Sequence, residues 1–135
     1  CDQLVIAGKN PDETLKSRAE ALGVKIVSNP EAEEMEKLVN EARVHVFYTS
    51  QPTGVKLKLL NALNTSGHVI LNSAMVEGTN LGSLCSIADS KSNFMSLVQE
   101  KIGIEITEEE FKGRHKMLQS EFNTTKNCSF ILELI

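Results

Sequence analysis

The residues best suited to chemistry sit in the stretch "QPTGVKLKLLNAL", residues 51 to 63. Gly54, Lys56 and Lys58 open what reads as a leucine-rich helix carrying Asn61. Glycine lets a backbone approach a phosphate closely, and a helix start offers unpaired N–H groups with partial positive charge. Lys56 would add a full cation at the same point, and Asn61 an amide able to hold a hydroxyl. If the helix starts near Gly54, then Val55, Leu59, Ala62 and Leu63 form its buried face, with Lys56 at the edge. If it starts near Leu57, Gly54 to Lys56 form a connecting loop. In both cases Lys56 stands near the mouth of a crevice; a solvated surface lysine is the plain alternative, as a polar flank is for Asn61. Lys58 reads as a solvated helix residue. Gly8, which closes the first apolar run, has the same capacity for close approach, although turn chemistry alone also explains it.

Other site chemistries have no pattern to support them. GxGxxG and GxxxxGK[ST] are both missing, so neither a dinucleotide fingerprint nor a P-loop is present. His45, His68 and His115 are scattered, the first two inside apolar runs, which reads as core or strand histidines rather than metal ligands. With no zinc spacing, no metal site is expected. Cys1, Cys85 and Cys128 are an odd number without CxxC spacing, the usage of reduced thiols in a cytoplasmic protein. Two sequons, at Asn64 and Asn123, are treated as chance without a secretory context. The net charge of -4 argues against a partner bound through a nucleic-acid backbone. No apolar run approaches the roughly 20 residues that span a bilayer.

The elements that must position these residues follow from periodicity. QLVIAG (3 to 8), VKIV (24 to 27), VHVFY (44 to 48), HVIL (68 to 71) and LCSIA (84 to 88) read as short strands. Helical patterns separate the first four. The first helix is expected to start with Pro11 near its first position and to end at Gly23. The second is expected to have Asn29 as cap and Pro30 at its first position. Two further helices follow, SKSNFMSLVQEKI and ITEEEFKGRHKMLQSEF, the second opened by a capping box of Thr107 and Glu110. The tail, NCSFILELI (127 to 135), is short and very apolar. Strands alternating with helices imply an α/β fold: a Rossmann-like parallel sheet of about five strands flanked by helices, with C-terminal helices. Residues 1–135 read as a single domain, with no linker or solenoid repeat. Ligands of such sheets bind beyond the C-terminal strand ends, here at Gly8, Ser28, Thr49 to Lys56, Asn72 and Asp89.

Taken in order, "LVIAGKNP", "VKIVSNPEAEEMEKLVNEARVHVFYTS", "GVKLKLLNALNTSGHVILN" and "EGTNLGSLCSIADSKSNFMSLVQEKI" resemble the C-terminal domain of GT-B retaining glycosyltransferases of the glycogen-synthase-like and mannosyltransferase-like kind. The resemblance covers about 70% of the chain and rests on order and spacing more than on any one motif. It implies a nucleotide-diphospho-sugar binding domain, the C-terminal half of a two-domain enzyme, with mannose or glucose as the sugar to expect. It implies a glycan or lipid acceptor held by an N-terminal domain, no cofactor and no metal. Gly54 and the following amides, Val55 and Lys56 included, match the family's diphosphate loop, and Gly8 its strand-end turn. The family's paired glutamates fall here on Thr53 and Asn61, so both carboxylates are replaced by neutral hydrogen-bonding groups. The chain corresponds to the family domain from its second strand onward. Five strands could then close in the order 2-1-3-4-5, or an unfilled slot would expose two strand edges and invite dimerisation. Membrane association of the full-length protein is compatible with the resemblance.

A different class of function uses the same fold: a non-enzymatic, flavodoxin-like binding or docking module. A phosphoreceiver would need an acidic pair near the first strand and an Asp after the third, where this chain has Tyr48-Thr49-Ser50. Flavin binding would want aromatics over the ring, and aromatic residues make up 4% with no Trp. A degenerate glycosyltransferase domain kept for docking is the third alternative.

Overall fold

The computed structural model describes residues 3–52 and 56–122. Thr53, Gly54 and Val55 lie outside the described residues, as does the apolar tail. The chain divides into two compact units, Cys1–Ala42 and Arg43–Ile135.

The first unit holds β1 (Val5–Gly8), α1 (Glu13–Ala21), β2 (Lys25–Ser28) and α2 (Ala32–Glu41). β1 and β2 pair in parallel with Val5 opposite Lys25 and Gly8 opposite Ser28. The helix starts differ from the sequence expectation. Asp12, not Pro11, closes the entry to α1, because its carboxylate accepts the Leu15 N–H at 2.7 Å. Pro11 therefore stands before the cap. α2 is capped at Glu31 with no side-chain bond, and Asn29 does other work. Asn10 and Asn29 both take left-handed backbone, φ 47 and 52, a region asparagine tolerates better than most residues. Asn29 donates its N–H to the Gly8 carbonyl at 2.8 Å, and its side-chain oxygen accepts the Asn10 N–H at 2.9 Å. The exits of the two strands are thereby tied together. Gly23, at φ 67, ends α1 as expected: Val24 donates to Ala19 and Gly23 to Glu20, which satisfies the last carbonyls. The buried side chains of this unit among the described residues are Ala19 and Val27.

The second unit holds β3 (Val44–Phe47), α3 (Leu57–Leu63), β4 (His68–Leu71), β5 (Ser86–Ile87), α4 (Lys91–Lys101) and α5 (Glu108–Glu121). Two 3₁₀ turns, Ser73–Met75 and Asn80–Leu84, lie between β4 and β5. The expected strand at 84 to 88 is thus shortened to two residues, its beginning taken by the second turn, where the Thr79 hydroxyl accepts the Leu81 N–H. All pairings are parallel, in the order β3-β4-β5, with His45 opposite Val69 and Leu71 opposite Ile87. Among the described residues the fold class is α/β as expected, but the five parallel strands form a sheet of two and a sheet of three where the sequence suggested one sheet of about five.

The core lies in the second unit. Alternation along β4 sends Val69 and Leu71 to one face, where they meet Leu59, Ala62 and Leu63 of α3 and Leu118 of α5. Met75, Val76 and Leu81 from the 3₁₀ turns complete the cluster. The capping box of α5 is present: the Thr107 hydroxyl accepts the Glu110 N–H at 3.1 Å, and the Glu110 carboxylate accepts the Thr107 N–H at 2.8 Å. These bonds hold the Glu110 carboxyl below the usual carboxylate range.

Leu63, with no exposed surface, should be costly to truncate: Leu63→Ala is expected to lose about 2–5 kcal/mol. Leu57→Ala, in the same helix but 76% exposed, should change stability by less than about 0.5 kcal/mol. Urea unfolding midpoints of the two variants check this contrast.

Candidate functional site

The C-terminal crest of the β3-β4-β5 ladder is built around Asn72, the residue that follows β4. Its side chain is 6% exposed. Its Oδ1 accepts the Thr49 N–H at 3.0 Å, and its Nδ2 donates to the Thr49 carbonyl at 2.7 Å. One amide side chain therefore supplies a further rung where the backbone ladder stops. On the other side, the Ala88 N–H donates to the Leu71 carbonyl at 2.8 Å, and the Asp89 carboxylate accepts the Ser73 N–H at 2.8 Å. Thr49 continues into a small turn, its hydroxyl accepting the Gln51 N–H at 3.1 Å and donating to the Gln51 carbonyl at 3.3 Å. Lys56 Nζ donates to the same carbonyl at 3.3 Å. Thr49, Asn72, Asp89 and Lys56 thus form a polar crest whose backbone is fixed by its own side chains.

The sequence candidates distribute unevenly over this geometry. Gly8 is the last residue of β1, in the first unit, and a Cβ added there would meet nothing within 4 Å. Close packing does not demand glycine at that point. Lys56 and Asn61 belong to the second unit. α3 begins at Leu57, so Lys56 is its N-cap residue and belongs to the connecting loop, the second of the two helix starts read from the sequence. Asn61 is exposed, while Leu59, Ala62 and Leu63 form the buried face, as the spacing implies. Lys58 is exposed and sits 5.6 Å from the centre of the Phe47 ring. Thr53, Gly54 and Val55, the middle of the candidate loop, lie outside the described residues.

A second polar cluster, which motif reading passes over, lies inside the unit. Thr65 follows α3, and its hydroxyl donates to the Ala62 carbonyl at 2.8 Å and accepts the Gly67 N–H at 3.1 Å. With its proton so used, the hydroxyl meets His45 Nε2, 3.0 Å away, as an acceptor, and His45 therefore carries its proton on Nε2. Arg114 of α5, 7% exposed, donates from one guanidinium nitrogen to the carbonyls of Thr65 at 3.2 Å and Gly67 at 3.0 Å. Burial, aided by the charge of Arg114, lowers the His45 pKa to about 4. Burial pushes the Cys85 thiol up to about 11, which leaves it an inert thiol rather than a nucleophile. His45 is a core histidine, as its apolar surroundings in the sequence suggest. His68 is half-buried, and its Nε2 contacts the Ile104 carbonyl at 2.8 Å. Arg114 had one legible signal: Phe111, Arg114 and Leu118 share one face of α5 at helical spacing.

Among the described residues no group of three His, Cys, Asp or Glu side chains could hold a metal ion. No described helix is long and apolar enough to cross a membrane. Replacing Asn72 by Ala would strand a part-buried N–H and carbonyl of Thr49, a loss of about 1–3 kcal/mol. The expected readout is a lower urea midpoint together with faster exchange of the Thr49 amide. No family model, curated protein or solved structure matches this chain.

Proposed function

We propose that the chain is the donor-binding part of a glycosyltransferase, holding a nucleotide-diphospho-sugar for transfer of mannose or glucose to a glycan or lipid acceptor. The observation that carries the reading is the parallel β3-β4-β5 ladder, whose fixed polar crest leads through Lys56 into α3. Ligands of open parallel sheets bind at this end. In this reading Lys56 and the amides of the Gly54 loop meet the diphosphate, and Asn61 and Thr53 hold sugar or ribose hydroxyls. Electrostatic stabilisation of the leaving diphosphate by amides and a cation needs no metal. The acceptor would be bound by a further domain.

A second reading, a degenerate domain kept for docking, is favoured by the neutral residues at the two positions where the resemblance expects carboxylates. It is favoured too by the way the crest's polar groups already satisfy one another. Nuclear magnetic resonance with millimolar UDP and GDP separates the two. Donor binding predicts amide shifts from Gly54 to Asn61 and at Thr49, with Gly8 reporting on the first unit. Lys56→Ala should weaken binding about tenfold, the scale of one lost hydrogen bond to a charged group. A folded protein with no shift in either nucleotide would overturn the donor reading and leave docking.

A further inference from the structure

We propose that α5 is an acid-releasable strap over the core of the second unit, let go when His45 gains a proton beside Arg114. The interior holds one cation already. Among the described residues Arg114 forms no ion pair with a carboxylate, and it donates to the two carbonyls of the turn after α3. The groups that bear on His45 do not offset a second charge. Arg114 reaches the site from α5. Lys58 of α3 stands over Phe47, whose ring stacks on His45. Cys85, before β5, is a neutral thiol, and Glu110, exposed and engaged in the cap of α5, favours the charge of Arg114 rather than that of His45. A proton on His45 Nδ1 therefore places two cations against the same turn, a repulsion relieved when one of them is hydrated.

What can move decides which. His45 is an interior residue of β3, paired opposite Val69 of β4. Arg114 sits on the last described helix. α5 is further held by Leu118 in the core, by Asn80 Nδ2 donating to Glu121 at 3.2 Å and by a weak Ser83–Met117 contact at 3.7 Å. Freeing α5 lets Arg114 hydrate without breaking the ladder, and it uncovers the apolar surface that Leu118 closes.

The sign follows from linkage. Docked His45 takes up its proton only at about 4 against an ordinary 6.5, with burial the larger cause and the charge of Arg114 the smaller. Releasing α5 removes the Arg114 share of that lowering, so the docked form is unaffected above 6.5 and loses ground as pH falls toward 4, at most tenfold per pH unit. The test is a titration of the labelled 135-residue chain from neutral pH to below the docked value. It follows the His45 Cε1–H resonance alongside amide exchange from Lys112 to Ser120. The expected result is loss of α5 protection in step with His45 titration. His45→Gln keeps an N–H donor for Thr65 but takes no proton, and should hold α5 through that range. Continued α5 protection after His45 has titrated, or the same release in His45→Gln, overturns the proposal. Should His45→Gln not fold, Glu110→Gln decides. It removes the titrating cap, and the proposal requires the His45-linked release to persist; a release abolished there belongs to the cap instead.

Discussion

The hydroxyl of Thr65 is the contact on which the second unit depends. It serves three partners: the Ala62 carbonyl at the end of α3, the Gly67 N–H at the start of β4, and the ring of His45 on β3. One oxygen therefore sets where the helix stops, how the chain turns, and how far the neighbouring strand lies from that turn. Arg114 locks the same turn from above through the carbonyls of Thr65 and Gly67. Among the described residues the hydrogen bonds of this buried cation go to carbonyl dipoles of the turn after α3, and the charge of Glu110 favours it at longer range. Leu59, Leu63, Val69 and Leu118 can then close over the junction.

The same economy recurs at the opposite end of the ladder. There the Asn72 amide replaces two backbone groups that β4 no longer provides for Thr49. Buried polar side chains at both ends of four-residue strands make up for how short the ladders are. A strand of that length has few rungs, and a side chain that mimics one is a large fraction of the total.

Most of the element order was legible because it rests on periodicity. Apolar runs such as HVIL and the Leu59, Ala62, Leu63 spacing announce their own burial. The capping box at Thr107 and Glu110 was readable because both partners lie within one turn. What escaped was long-range or reassigned polar chemistry. Asn29 looks like a helix cap, and its side chain instead binds Asn10, across the strand exits. Arg114 shares a helix face with Phe111 and Leu118, but its acceptors, the Thr65 and Gly67 carbonyls, lie 49 and 47 residues away in sequence. Local spacing cannot show a partner that only the fold supplies. The candidate site was legible as a place, the strand ends, and less so as a set of contacts. Lys56 and Asn61 fall where the pattern puts them, yet the crest that fixes the neighbouring backbone is made by Asn72 and Asp89.

The parallel pairing also has a kinetic consequence. Val5 meets Lys25, Val44 meets His68, and Ile70 meets Ser86, so each ladder closes over a segment of modest length containing a helix or turns. Loop-closure entropy grows only slowly with length, and such segments fold back at comparable cost. Each strand–helix–strand step can therefore form on its own schedule, without waiting for a distant part of the chain. The short strands limit what each step gains, and Leu118 and Arg114 of α5 add contacts at the core and the α3–β4 turn that the strands themselves do not supply.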